Sequence, residues 1–178
     1  KDINLTGDQS APTIECAEDG CIRITATKAT IRNLRIEANV GFFASIVTMF
    51  KRGVAAVRIV NSQPLIDGCE VSSNGGAGIV VTGSASMPEI KNTRIHDCKL
   101  NGILFTEKGQ GVVTDCEIYG NLWAGVRSDN GGNATIRNSR IRNGNQDGIL
   151  VDTGGAVTVE NSQISDNAYS GIHVREGS

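Results

Sequence analysis

Asp129 and Asp152 lie twenty-three residues apart in matching surroundings, Arg127-Ser-Asp129-Asn-Gly-Gly and Leu150-Val-Asp152-Thr-Gly-Gly, and a further twenty-three residues on Arg175 holds the same place, two after His173. Paired carboxylates about 5 Å apart are the arrangement that cleaves glycosides through an acid and a nucleophile. An imidazole beside them can carry a proton, and guanidinium groups grip an acidic sugar through paired hydrogen bonds. The candidate catalytic residues are therefore Asp129, Asp152 and His173, flanked by Arg127 and Arg175 as binding residues. A structural reading stands beside this one. Each aspartate runs into Gly-Gly turn composition, and two salt bridges, Arg127 with Asp152 and Asp129 with Arg175, account for the same residues. A second constellation has the same spacing: His96, Tyr119 and Arg142 put imidazole, aromatic ring and cation in a row, fit for a sugar, an anion or a peptide, or simply a solvated strand face.

These spacings come from a repeat that covers most of the chain. A Gly-Ile or Gly-Val pair recurs at Gly78, Gly102, Gly125, Gly148 and Gly171. Two further apolar columns keep step with it, Ile66, Ile90, Val113, Ile136, Val159 and Val71, Ile95, Ile118, Ile141, Ile164. Each unit is a set of short β-branched alternations broken by Asn and Gly, and it cannot bury its own apolar side. Helical solenoids need ten-residue stretches of 3.6 periodicity, and leucine-rich repeats need a leucine grid; this chain has seven Leu against thirty-four Ile plus Val. What remains is a parallel β-solenoid with three short strands per coil and like positions stacked about 4.8 Å apart. Ile136 and Ile141 both face inward only if the chain turns a corner between them. The corner column Asn33, Gly68, Asn92, Asp115, Asn138, Asn161 consists of residues that tolerate left-handed backbone. Cys69, Thr93, Cys116 and Ser139 then point in. Outside run Arg35, Glu70, Arg94, Glu117, Arg140, Gln163 and Arg32, Asp67, Lys91, Thr114, Arg137, Glu160, whose opposite charges support the register.

Composition bounds the partners. Charged residues make up 20% at a net charge of -2, so the chain is neither a disordered polyelectrolyte nor a basic nucleic-acid module. No apolar run approaches the roughly 18 residues of a membrane helix, and the first residues lack a signal-peptide layout, as a mature secreted fragment also would. Five cysteines, odd in number and without zinc spacing, read as unpaired thiols and tilt the localisation weakly toward the cell interior. No metal cluster, phosphate loop or nucleophile elbow is present in the sequence.

The whole chain, 1–178, reads as one domain of about seven coils of 22 to 24 residues. Residues 39–53 interrupt it as an apolar insertion holding Phe42, Phe43 and Phe50, three of the four phenylalanines. That segment either folds back on the coils, where Val80 and Leu104 beside Arg58 offer an apolar exterior, or binds a partner. Both ends stop abruptly, which suggests a piece of a longer chain or end-to-end self-association.

The units Asn92-Thr-Arg-Ile-His-Asp-Cys-Lys-Leu-Asn-Gly-Ile103 and Asn161-Ser-Gln-Ile-Ser-Asp-Asn-Ala-Tyr-Ser-Gly-Ile172 resemble the right-handed parallel β-helix repeats of carbohydrate-binding proteins and sugar hydrolases (CASH), with nearest likeness to NosD-like maturation proteins and β-helix F-box proteins. The resemblance covers residues 56–178 well and 1–55 loosely. It implies a right-handed, all-β solenoid, in agreement with the crossover rule. It implies no single function, since such folds carry pectin lyases, polygalacturonases, alginate epimerases and non-catalytic scaffolds. In the enzymes it resembles, the site usually lies outside the strand that follows the Gly-Ile pair, where Asp129, Asp152 and His173 fall. The epimerase signature Asp-Pro-His and the Asp-Asp or Gly-His-Gly elements of polygalacturonases are absent. The expected function is a non-catalytic, rigid binding or scaffold module that takes a protein or glycan partner along its lateral face. The alternative is a carbohydrate-active enzyme (lyase, glycoside hydrolase or epimerase) or binding module for an acidic polysaccharide. No cofactor is expected, except that the lyase alternative would put calcium on Asp129 and Asp152 with Arg127 or Arg175 as base.

Overall fold

The structure, a computed structural model, describes residues 22–25, 29–39, 54–175 and 177 in full, and the backbone of the strands Ile3–Thr6 and Thr13–Cys16. The apolar segment with Phe42, Phe43 and Phe50 falls in 40–53, outside the described residues. Among the described residues there are twenty-one strands of three to six residues and no helix. Successive strands pass to a first, second and third sheet in turn, and each sheet holds seven parallel strands. The chain is thus a parallel right-handed β-helix with three strands per coil.

The apolar columns of the sequence are the register of the sheets. Ile31, Ile66, Ile90, Val113, Ile136 and Val159 are consecutive partners in the first sheet. Ile36, Val71, Ile95, Ile118, Ile141 and Ile164 follow in the second. Val57, Ile79, Ile103, Val126, Ile149 and Ile172 make up the third. From Ile31 through Ile149 these side chains are essentially inaccessible, and each contributes roughly 1.5–3 kcal/mol by leaving water. Cys69, Thr93, Cys116 and Ser139 also face inward. In the last coil Ile172 and Val174 are 51% and 63% exposed.

At each described corner between the first and second sheets the chain turns on one left-handed residue. Asn33, Asn92, Asp115, Asn138 and Asn161 have φ of 47° to 53°, and Gly68 has 63°. Beyond the second sheet two asparagine side chains bridge neighbouring coils as an interrupted ladder. Asn121 Oδ1 accepts the backbone N–H of Cys98 at 3.0 Å, and Asn167 Oδ1 accepts that of Gly144 at 3.0 Å. Beside the ladder Gly102 admits no side chain, because a Cβ there would stand 2.6 Å from the Gly125 carbonyl and 2.8 Å from Asn121 Nδ2.

Candidate functional site

The outer face of the third sheet gathers the charged residues singled out by their spacing. Arg127, Leu150 and His173 are aligned on the strands Val126–Ser128, Ile149–Val151 and Ile172–Val174. Asp129, Asp152 and Arg175 each follow directly after those strands. Arg127 lies between the two carboxylates, with Nε 2.9 Å from Asp129 and Nη2 donating to Asp152 Oδ2 at 3.2 Å. The same oxygen accepts from Arg175 Nη1 at 3.2 Å. Of the two salt bridges expected, Arg127 with Asp152 forms and Asp129 with Arg175 does not. Asp152 occupies the coil between that second pair, and two coils span about 9.6 Å. Both acids are largely shielded, with side-chain exposures of 11% and 15%, against 51% for Arg175. Where the lyase alternative would set calcium between Asp129 and Asp152, the Arg127 guanidinium already bridges them.

His173 is held by a residue that the sequence reading passed over. The buried Asp147 carboxylate accepts the Ser170 backbone N–H at 3.0 Å through one oxygen and faces His173 Nδ1 at 3.3 Å with the other. The imidazole is oriented from beneath while 42% of it stays exposed. The available signal was an acid placed directly before Gly148-Ile149, where other coils have Asn101, Ala124 and Ser170.

The second constellation is a stack. His96, Tyr119 and Arg142 are partners in the second sheet. The His96 and Tyr119 rings are parallel, and the Arg142 guanidinium lies over Tyr119. Both faces of the Tyr119 ring are therefore occupied, which leaves only its edge and hydroxyl for a ligand. Glu70 is the hub beside the stack: it takes Arg35 and Arg94 on Oε2, each at 3.1 Å, and His96 Nε2 on Oε1 at 3.0 Å. Burial pushes its carboxyl upward, but the hydrogen bond from His96 and the charges of Arg94 and Arg35 outweigh this and hold it below the ordinary Glu value. Arg142 is tied to Glu117 at 2.8 Å.

Two exposed aromatics were also missed. Trp123 and Tyr169 are 40% and 71% exposed, in the turns that lead into the third sheet. Leu100, Trp123, Gln146 and Tyr169 follow at twenty-three-residue steps, each two residues before a Gly-Ile or Gly-Val pair, and backbone bonds from Trp123 N–H to Leu100 O and from Tyr169 N–H to Gln146 O join them in twos. The two aromatics are forty-six residues apart, two repeats, and each stands four residues before an outward Arg127 or His173.

A family model described as "Right handed beta helix region" matches residues 20–178. Among solved structures, the chain is similar to pectate lyase Pel9A, with a TM-score of 0.70 and 18% identity over 94% of this chain and 46% of that one. It is more distantly similar to the periplasmic alginate epimerase AlgG, with a TM-score of 0.42 and 16% identity over 84% of this chain and 48% of that one. The chain spans just under half the length of each. At such identity the likeness to Pel9A is one of fold.

Proposed function

The chain belongs to the right-handed β-helix family, and from that premise we propose that it is a non-catalytic module that binds a polysaccharide chain along the outer face of its third sheet. The observation that carries this reading is the relay Asp129, Arg127, Asp152, Arg175, in which acceptor and donor alternate up the solenoid. A sugar hydroxyl needs an acceptor for its hydrogen and a donor for its oxygen, and such a relay offers both across its three coils. The side chains hold one another in place before any ligand arrives, so less ordering entropy is lost on binding. The bridging of both carboxylates by Arg127 favours binding over acid–nucleophile chemistry. The name of Pel9A, a pectate lyase, is consistent with a polysaccharide as partner.

One observation favours the second reading, a carbohydrate-active enzyme: the Asp147–His173 pair orients an exposed imidazole as a proton carrier requires. Thermal unfolding with acidic and neutral oligosaccharides separates the two. A ligand at 100 times its dissociation constant adds about 2.7 kcal/mol. The expected result is stabilisation by one sugar class, lost in Asp152→Asn, with no new reducing ends and no unsaturated product. Product formed by the native chain and lost in His173→Ala would replace the binding reading with the enzymatic one, and the absence of stabilisation by any sugar would overturn both.

A further inference from the structure

Trp123 and Tyr169 are exposed, occupy one turn column, and are separated by the single coil that carries Gln146. We propose that they form a stacking ridge for an extended pyranose chain lying parallel to the solenoid axis, with the sugar between them passing over Gln146. This rests on the polysaccharide-binding reading and deepens it by naming the side chains that grip the rings.

Three observations support the ridge. The first is the contrast with Tyr119, whose ring is covered on both faces by His96 and Arg142. Trp123, with a coil on either side of it, is 40% exposed and keeps open ring surface, and Tyr169 holds the matching position of the last coil. An exposed apolar surface rimmed by polar groups marks a binding site. The second is commensurability: two coils span about 9.6 Å, close to the rise of two pyranoses in an extended chain, so two rings two coils apart meet the first and third sugars. Gln146, half-buried between them, adds an amide donor and acceptor. The third is continuity. The turn column leads directly into the strands that carry Arg127 and His173. Sugar rings have an apolar face and a rim of hydroxyls, so they need a flat apolar surface beside hydrogen-bonding groups. The ridge supplies the first, and the neighbouring Arg127, Asp152 and Arg175 supply the second.

Trp123 is the single tryptophan of the chain, so its fluorescence reports directly on the ridge. The experiment titrates the chain with cellohexaose and with hexagalacturonate, following Trp123 emission alongside calorimetry. A saturable emission change with at least one of them is expected. Affinity should fall at least tenfold when the better ligand is shortened to its disaccharide, which spans only one stacking position. Tyr169→Ala should weaken binding of the hexasaccharide about tenfold and Tyr169→Phe less than threefold, because the ring rather than the hydroxyl does the stacking. The double variant Trp123→Ala/Tyr169→Ala, followed by calorimetry and checked for an unchanged unfolding midpoint, should lose binding. If it binds the hexasaccharide with native affinity while Asp152→Asn does not, the ridge is overturned and the polysaccharide-binding reading stands. If neither sugar binds the native chain, both fall.

Discussion

The His96 ring lies on the Tyr119 ring with centroids 4.9 Å apart and planes 8° from parallel, while Arg142 Cζ stands 4.9 Å from the Tyr119 centroid on the opposite side. The stack ties three successive coils together from outside the core. Its energy comes from ring–ring and cation–ring attraction, roughly 0.5–1.5 and 0.5–1 kcal/mol respectively. Tyr119→Ala should therefore cost about 1–3 kcal/mol in urea unfolding and leave glycan affinity unchanged. A large loss of affinity at unchanged stability would place the ligand on the second sheet instead of the third.

The glycines of the third-sheet entry are expected to respond alike inside the solenoid. A Cβ on Gly102 would meet the Gly125 carbonyl, Asn121 Nδ2 and Ile118 Cγ2 within 2.9 Å, and one on Gly148 would meet the Gly171 carbonyl, Ile164 Cγ2 and Asn167 Nδ2 within 2.7 Å. Gly102→Ala and Gly148→Ala should each lose about 2–3 kcal/mol through overpacking. Native unfolding midpoints for the two variants would show that the coil interface yields where its geometry says it is rigid.

Asn138 holds the corner between the first and second sheets at φ 47°. Replacing it by Ala forces a Cβ-bearing residue without a compensating polar side chain into the left-handed region, at about 1–2 kcal/mol. Asn138→Gly, free of that steric term, should retain most of the stability. Chemical denaturation of both variants checks the ordering.

The thiols of Cys69, Cys98 and Cys116 are buried and unpaired. Burial, opposed only weakly by backbone hydrogen bonds, pushes those of Cys98 and Cys116 up to about 12. Iodoacetamide at pH 8 should leave all three unmodified in the native chain and alkylate them in urea, read by peptide mass. The sign at alkaline pH follows from the same shift. Above the ordinary thiol value the unfolded chain gives up these protons and the folded chain keeps them, so stability falls as pH rises, by about 1.4 kcal/mol per pH unit for each such thiol.

Glu70 works in the opposite direction. Its folded value lies below the ordinary one, so the folded chain takes up its proton less readily than the unfolded chain does. The contribution of Glu70 is complete above the ordinary Glu range and is lost as pH falls through the lowered value. Urea midpoints measured from pH 6 to pH 3 should decline more steeply in the native chain than in Glu70→Gln; identical slopes would remove Glu70 from the account of acid sensitivity.

The fold was legible wherever burial imposes a pattern. The columns through Ile136, Ile141 and Ile149 had to be inward because no other surface of the unit is apolar, and the corner at Asn138 followed from the five-residue step between two inward isoleucines. The site was legible only as a face. Column reasoning assigned Arg127, Asp129, Asp152 and Arg175 to one surface, but it ignored the coil between Asp129 and Arg175 and so paired them wrongly. Asp147 was missed because the positions before the glycine pair hold Asn, Ala, Asp and Ser and carry no apolar signal. Trp123 and Tyr169 were missed for a related reason: Leu100, Trp123, Gln146 and Tyr169 share a place in the repeat but no chemistry, so the column carries no pattern of its own.

Because each strand pairs only with its counterparts one coil before and one coil after, the unit of heritable change in this chain is the whole coil. Losing one residue from a strand exchanges its inward and outward side chains. Losing or duplicating twenty-three residues in register restores every column, at the cost of one interface. A lineage can therefore lengthen the binding face by copying what it already has, and each copied coil inserted between Arg127 and Arg175 carries them one step further apart without requiring a new core.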